Sequence, residues 1–381
     1  MACLFFMKKG SGKDMVLVQD HFKITKQIRN VLVIQLGDIG DVVWTTPTLW
    51  AVKESYPQGN VSVLLREGFG CLLEADPSIH KIFEVKSTQG NLLLNVIDQV
   101  RLIKKLRNEQ FDMVFDLRSG DRGAIMARLT GASIRGSLYY TAVPFWRNRL
   151  FTHLLKGLPT PKERVLGAAE QSLSIVRGFG IAGKTEVPKL WVSDQVMAQV
   201  YKLLTECDMK PVASDPSYRW VTVNPFSRWP YKEWADDKWA SIINLLWHEF
   251  QIAAAIVGSK GETARATELA AQCAGKVCNL AGKTTLAELA GTLSLSSFHL
   301  GVDSAAPHIA AAVGTPTLTI FGPSDWRDWA PVGDKNRVVV SNMDCVPCYK
   351  KGCNGSERSI CLETLEVKTV QDAIREVLEK R

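Results

Sequence analysis

Four short segments of this 381-residue chain place carboxylates, hydroxyls, a histidine or a lysine beside glycines and other small residues. Such a mixture lets a backbone come close to a ligand while side chains act on it. The first segment is QLGDIGDVVWTTP, residues 35–47, which reads as a strand, a glycine turn and a helix start. A helix N-terminus favours negative charge, yet Asp38 and Asp41 stand at this one, which argues against a diphosphate here. The dinucleotide fingerprint G-x-G-x-x-G is also absent, since only Gly37 and Gly40 are present. Asp41 suits a base that takes a proton from a neutral hydroxyl. Spacing alone leaves open that it is a plain helix N-cap.

The second segment, LGVDSAAPHIAAAVGTPTLTIFGPSD, covers residues 300–325. A strand ends at Val302, Asp303 and Ser304 form a turn, and a helix of small residues follows. Free N–H groups at such a start, Ala305 among them, hold a diphosphate, and Ser304 adds a hydroxyl. His308 lies four residues after Ser304, on the same helix face. A core histidine and a capping aspartate are the plainer reading of that pair. Glu262 follows the strand IAAAIVG by a short turn, where a carboxylate can accept two ribose hydroxyls or simply complement the helix dipole. Lys232, in WPYKEW after the strand ending at Asn224, can balance phosphate charge or be an ordinary surface lysine.

The elements that must position these residues alternate along the chain. Short apolar runs at Val31–Leu36, Val61–Leu65, Lys81–Val85 and Phe111–Leu117 read as buried parallel strands, with helices at about Asp41–Tyr56 and Leu92–Asn108 between them. Residues 1–29 read as a polar leader. The rhythm breaks at 137–165, which is rich in aromatics and bases, and a helix at about Arg164–Phe179 follows. Gly180–Lys189 reads as a linker. The alternation then restarts, with strands at Trp220–Asn224, Ile252–Val257, Val277–Leu280, Phe298–Val302, Thr317–Phe321 and Arg337–Val340, and a closing helix at Val370–Lys380. These βαβ units imply an α/β protein of two doubly wound domains, 30–185 and 190–365, facing across a cleft.

Composition narrows the classes. The apolar fraction of 46% is that of a globular chain, and the formal charge of +7 is mildly basic. No zinc finger, ribonucleoprotein motif or long basic run points to nucleic acid. The short apolar stretch Ala2–Met7 precedes its lysines, unlike a signal peptide, and no apolar run has the length of a spanning helix. A cytoplasmic location, with peripheral contact to the inner membrane as a further option, is expected. There the nine cysteines should be mostly reduced thiols. Cys345, Cys348, Cys353 and Cys361 begin with a metal-type C-x2-C spacing, but the later spacings match no common zinc template. They read as thiols, with a structural zinc and then a disulfide as the alternatives. In 137–165, Trp146, Arg147 and Arg149 suit an anionic interface. Together with Arg66 and Arg118 they are candidates for the acceptor or membrane side.

Taken together, the segments resemble glycosyltransferase family 9, the lipopolysaccharide heptosyltransferases. The resemblance rests on Gly40-Asp41 with Pro47 six residues on, Lys232-x-Trp234, Glu262 opening its helix, and Asp303-Ser304-x-x-x-His308 running through Gly322. Pro307 stands one place later than the usual family pattern. The resemblance implies a GT-B fold of Rossmann-like domains, with the closing helix, 366–381, crossing back to the first. It implies an inverting transfer of heptose from ADP-heptose to the inner core of lipopolysaccharide, with a lipid A–Kdo type glycolipid as acceptor. Asp41 would be the general base, and Lys232, Ser304 and His308 would meet the leaving diphosphate. Glu262 would hold the ribose, with Asp303, Ala305 and Asn224 around the nucleotide. No cofactor is required on this reading, and no two aspartates stand two apart to hold a catalytic metal. The alternatives are another nucleotide-sugar or acceptor and, more distantly, an NAD-dependent oxidoreductase or a non-catalytic binding module.

Overall fold

The computed structural model describes residues 16–86, 92–118, 120–156, 167–209 and 219–379. Most of the expected leader, the end of the aromatic–basic segment and the first residues of the helix expected from Arg164 lie outside this set. The chain divides into two compact units, one closing at Pro188 and the next running from Lys189.

The first unit is a seven-stranded, all-parallel sheet in the order β1-β7-β6-β5-β2-β3-β4. Its strands are β1 (Leu17–Gln19), β2 (Asn30–Ile34), β3 (Asn60–Arg66), β4 (Lys81–Val85), β5 (Met113–Asp116), β6 (Ile134–Leu138) and β7 (His153–Leu155). The helices are α1 (Ile39–Ser55), α2 (Leu92–Asn108), α3 (Asp121–Leu129), α4 (Phe145–Arg149) and α5 (Gly167–Arg177). Val31, Leu32, Val33 and Ile34 are fully buried, as a central strand covered on both faces requires.

Three strands escaped the sequence reading. β1 is a short edge strand inside the expected leader. β6 and β7 lie at and within the segment where the rhythm breaks. The reason is visible in β6, whose sequence IRGSL is entirely buried although it carries Arg135 and Ser137. Backbone oxygens satisfy those groups: Arg135 Nε donates to Leu150 O at 2.8 Å and Nη1 to Ala132 O, while Ser137 Oγ donates to Asp116 O at 2.9 Å. A buried polar group with a partner costs little, so the strand has no apolar run to betray it.

The second unit holds a six-stranded, all-parallel sheet in the order β10-β9-β8-β11-β12-β13. These strands are β8 (Trp220–Asn224), β9 (Ala253–Ile256), β10 (Val277–Asn279), β11 (His299–Val302), β12 (Thr317–Phe321) and β13 (Asn336–Val340). Its helices are α6 (Asp194–Glu206), α7 (Asp236–Phe250), α8 (Thr263–Ala271), α9 (Leu286–Leu295), α10 (Ala305–Ala312), α11 (Trp326–Trp329), α12 (Ile360–Glu363) and α13 (Val367–Glu379). Trp234 and Trp239 meet edge to face at 5.4 Å in its core. The closing helix α13, from which a return to the first unit was expected, packs here on α7 and β13. Its Val370 and Ile374 are fully buried in the same core as Trp239.

Cys207 and Cys278 are joined as a disulfide, and the other described cysteines are free. No described helix is long and apolar enough to cross a membrane.

Candidate active site

Both sheets gather their functional candidates at the carboxyl ends of adjacent central strands, the edge where open α/β sheets bind ligands. In the first unit, β2 lies between β5 and β3. Asp41 follows β2, Arg118 follows β5 and Arg66 ends β3. Asp41 sits in the first turn of α1, with one oxygen accepting the Asp38 N–H at 2.6 Å. The other accepts Arg118 Nη1 at 2.8 Å. The carboxylate occupies space that only glycine leaves free, because a Cβ at Gly37 would stand 2.1 Å from Asp41 Oδ2. Gln35 braces the turn, accepting the Gly37 N–H and donating to Thr45 Oγ1, which in turn donates to Asp41 O. Asp38 pairs with Arg66 at 3.0 Å. Burial raises the pKa of Asp41, while Arg118 and the Asp38 N–H oppose that rise.

Beneath this pair lies another that the sequence reading missed. Asp116, the last residue of β5, is wholly buried, and so is its partner Arg147, at 3.5 Å. Arg147 also donates to Arg118 O at 3.0 Å, and Asp116 accepts the Arg118 N–H at 3.2 Å. The backbone of Arg118 is therefore held from below while its side chain reaches Asp41. Burial pushes the Asp116 carboxyl up to about 7, against the pull of Arg147. The one sequence signal was an aspartate closing the apolar run FDMVFD.

Arg147 is thus no membrane or acceptor contact. A guanidinium at zero exposure, with Tyr140 and Phe151 rings 5.4 and 5.1 Å from its centre, serves the interior. Its neighbours behave differently. Phe145 is 72% exposed with Arg149 over its ring, and Trp146 is half-buried.

In the second unit β8 lies between β9 and β11. Asn224 ends β8, Glu262 follows β9 and Asp303 follows β11. Asn224 donates to Val257 O at 3.1 Å and accepts Ser304 Oγ at 3.3 Å, tying three strand ends together. Lys232 Nζ lies 2.7 Å from Asp303 Oδ2. Ser304 is the N-cap of α10, so the first N–H groups of that helix, Ala305 included, open at this edge. Pro307 contributes none. His308 is buried, and burial lowers its pKa to about 4, with Asp303 opposing and Lys232 adding to the fall. At neutral pH it is an uncharged imidazole, a hydrogen-bonding group and not a cation. Glu262 closes a capping box, accepting the Ser259 N–H at 2.5 Å. Gly258 makes room for its carboxylate, since a Cβ there would lie 2.8 Å from Glu262 Oε2. Tyr231, also missed in the sequence, lies close enough for Asp303 to help burial raise its phenol pKa.

Cys345, Cys348, Cys353 and Cys361 border one pocket, away from these residues in sequence. Among the described residues, no three histidine, cysteine or carboxylate side chains are already gathered around a metal position.

Two parallel α/β sheets, each with its candidate site at the carboxyl edge, form the architecture of the GT-B fold. The model of glycosyltransferase family 9 (heptosyltransferase) matches residues 99–357, and the chain belongs to that family. It is 29% identical to Lipopolysaccharide heptosyltransferase 3 of Escherichia coli over 298 residues, covering 76% of this chain and 84% of that protein. Among solved structures, a family 9 glycosyl transferase from Veillonella parvula aligns with a TM-score of 0.77 at 18% identity, over 93% of this chain and 98% of that one. An E. coli heptosyltransferase with ADP-2-deoxy-2-fluoro heptose aligns with a TM-score of 0.67 at 19% identity, over 91% and 99%.

The buried carboxyl beneath the first site makes stability depend on pH. Folded Asp116 keeps its proton up to about pH 7, whereas an ordinary aspartate loses it near 3.8. Between those values the folded state binds more protons, so this group makes folding less favourable as pH rises. Chemical denaturation of the wild type and of Asp116→Asn at pH 4 and pH 7.5 reads this directly. The wild type's unfolding free energy relative to the variant should fall across the window; a difference that stays flat contradicts the assignment.

Proposed function

We propose that this chain is an inverting heptosyltransferase that moves heptose from ADP-heptose to the inner core of lipopolysaccharide, without a catalytic metal. The observation that carries the reading is the environment of Asp41. A carboxylate held out of water, with its pKa raised by burial, is a better acceptor for a hydroxyl proton than an exposed one. Asp41 would take the proton of the acceptor hydroxyl as its oxygen attacks the anomeric carbon. The C–O bond to the diphosphate breaks on the opposite face, and the configuration inverts.

The leaving ADP gains negative charge, and the second unit offers what meets it. Lys232 would exchange Asp303 for phosphate, Ser304 and the opening N–H groups of α10 would bind diphosphate oxygens, and neutral His308 would donate a hydrogen bond. Glu262, at the neighbouring strand end, would take the ribose hydroxyls. The bound ADP-heptose analogue in a structure of the same fold supports the choice of nucleotide. Arg66, Arg118 and the nearby Arg122 give the first unit a basic rim suited to an anionic glycolipid of the lipid A–Kdo type. A cytoplasmic enzyme touching the inner leaflet fits such an acceptor, and Phe145 with Arg149 and Trp146 offer the contact: one ring in the interface, one cation at the headgroups.

The base assignment is tested by Asp41→Asn assayed with ADP-heptose and a core acceptor. Transfer should fall by roughly 10²–10⁴, the usual worth of a positioned base, while ADP affinity stays that of the wild type. Turnover near wild type would refute the role of Asp41. For the membrane contact, Phe145→Ser/Arg149→Ser should lose co-sedimentation with anionic liposomes at unchanged melting temperature. Undiminished binding would remove α4 from the interface.

A further inference from the structure

Lys232 stands on a turn that packing alone does not fix. Between the buried Phe226 and Trp234 the chain runs from Ser227 to Glu233 without a buried residue. Its middle is a single 3₁₀ turn, Pro230–Lys232, with no side chain in the core. A lysine adds a flexible four-carbon stem to that. The turn itself must therefore be held if the ammonium is to meet a phosphate at one place.

The hold comes from one side chain on another element. Arg265 lies in the first turn of α8, three residues after Glu262. Its Nη1 donates to Glu233 Oε2 at 2.5 Å, and its Nε and Nη2 donate to the two oxygens of Asp236, each at 2.7 Å. Glu233 is the residue after Lys232, and its other oxygen accepts the Ser227 N–H at 2.7 Å, which closes the loop across its base. Asp236 is the first residue of α7. The guanidinium also lies 5.2 Å from the centre of the Phe226 ring, at the loop's other foot. A planar fork can hold several partners in one geometry, which a lysine ammonium does not copy. The Arg265 side chain is 38% exposed, and ion pairs so exposed add little to stability. The arrangement fixes direction more than it holds the fold together.

We propose that Arg265 is a positioning residue of the donor site. By holding Glu233 it sets where Lys232 presents its ammonium, and by standing on α8 it ties that cation to the turn that carries Glu262. The inference rests on the donor reading above, in which Lys232 meets the diphosphate and Glu262 the ribose. Two effects run through Glu233. Its bonds to Arg265 and Ser227 keep the backbone of the turn in one shape. They also keep that carboxylate occupied, so that it does not compete with a phosphate for the adjacent Lys232. Asp303, at 2.7 Å, is then the partner that a diphosphate displaces.

ADP binding to the full chain, measured by calorimetry in a double-mutant cycle, tests this. Arg265→Met keeps the aliphatic stem and removes the fork. It should weaken ADP roughly tenfold in the wild-type background, a size usual for coupled neighbours. It should weaken ADP no further in Lys232→Ala, which has no ammonium left to place. Arg265→Lys keeps the charge without the geometry and should lose nearly as much. Both Arg265 variants should melt near the wild type. In transfer assays the KM for ADP-heptose should rise with Arg265→Met while the KM for the acceptor holds, a split that a general loss of structure would not give. Equal weakening in both backgrounds, or full affinity in Arg265→Met or Arg265→Lys, overturns the positioning role alone. A wild type that binds no ADP refutes the donor reading, and the inference falls with it.

Discussion

A carboxylate that must accept a proton from a sugar hydroxyl faces two opposed demands. It has to leave bulk water for its basicity to rise, and it has to stay ionised to act. If Asp41 is the base, as proposed, the first unit meets both there. Desolvation raises the carboxyl, while one peptide N–H and one guanidinium hold the charged form in place. Much of the surrounding structure follows from that. Gly37 has no side chain because the Asp41 oxygen occupies its space. Gln35 and Thr45 clamp the turn. Arg118 can aim at Asp41 because its own backbone is gripped on both sides by the buried Asp116–Arg147 pair. A buried ion pair is weak evidence for stability, and here its geometry serves orientation.

The second unit solves a different problem with the same topology. On the proposed reading its site receives negative charge, and its strand ends present a lysine, a serine N-cap and open peptide donors. Asp303 pairs with Lys232, and on the proposed reading a diphosphate would take the place of that carboxylate. His308 is too deeply buried to carry charge near neutrality. On the proposed reading its contribution is directional, in a site of fixed dipoles and one positioned ammonium.

Much of this was legible in the sequence because parallel strands buried on both faces read as apolar runs, and glycine-broken turns mark their carboxyl ends. β4, α2, β8 and β12 fall on the expected residues, and the motif around Asp303 lies at the strand end it was read to occupy. What escaped has a common physical cause: polar side chains satisfied by distant backbone. β6 hides behind Arg135 and Ser137. Arg147 looked like a surface base among aromatics, when its aromatic neighbours are the walls of its burial. Asp116 gave almost no signal, since its partner lies 31 residues away.

The account turns on the second unit binding an adenine nucleotide-sugar, and a thermal-shift panel with ADP, ADP-heptose, UDP, GDP and NAD measures that most directly. A ligand at a hundredfold its dissociation constant adds about 2.7 kcal/mol, several degrees of melting shift. The account predicts stabilisation by ADP and ADP-heptose, with little from UDP, GDP or NAD. Stabilisation by UDP or GDP in place of ADP would contradict the donor, and a shift with NAD far exceeding that with ADP would contradict the transferase reading itself.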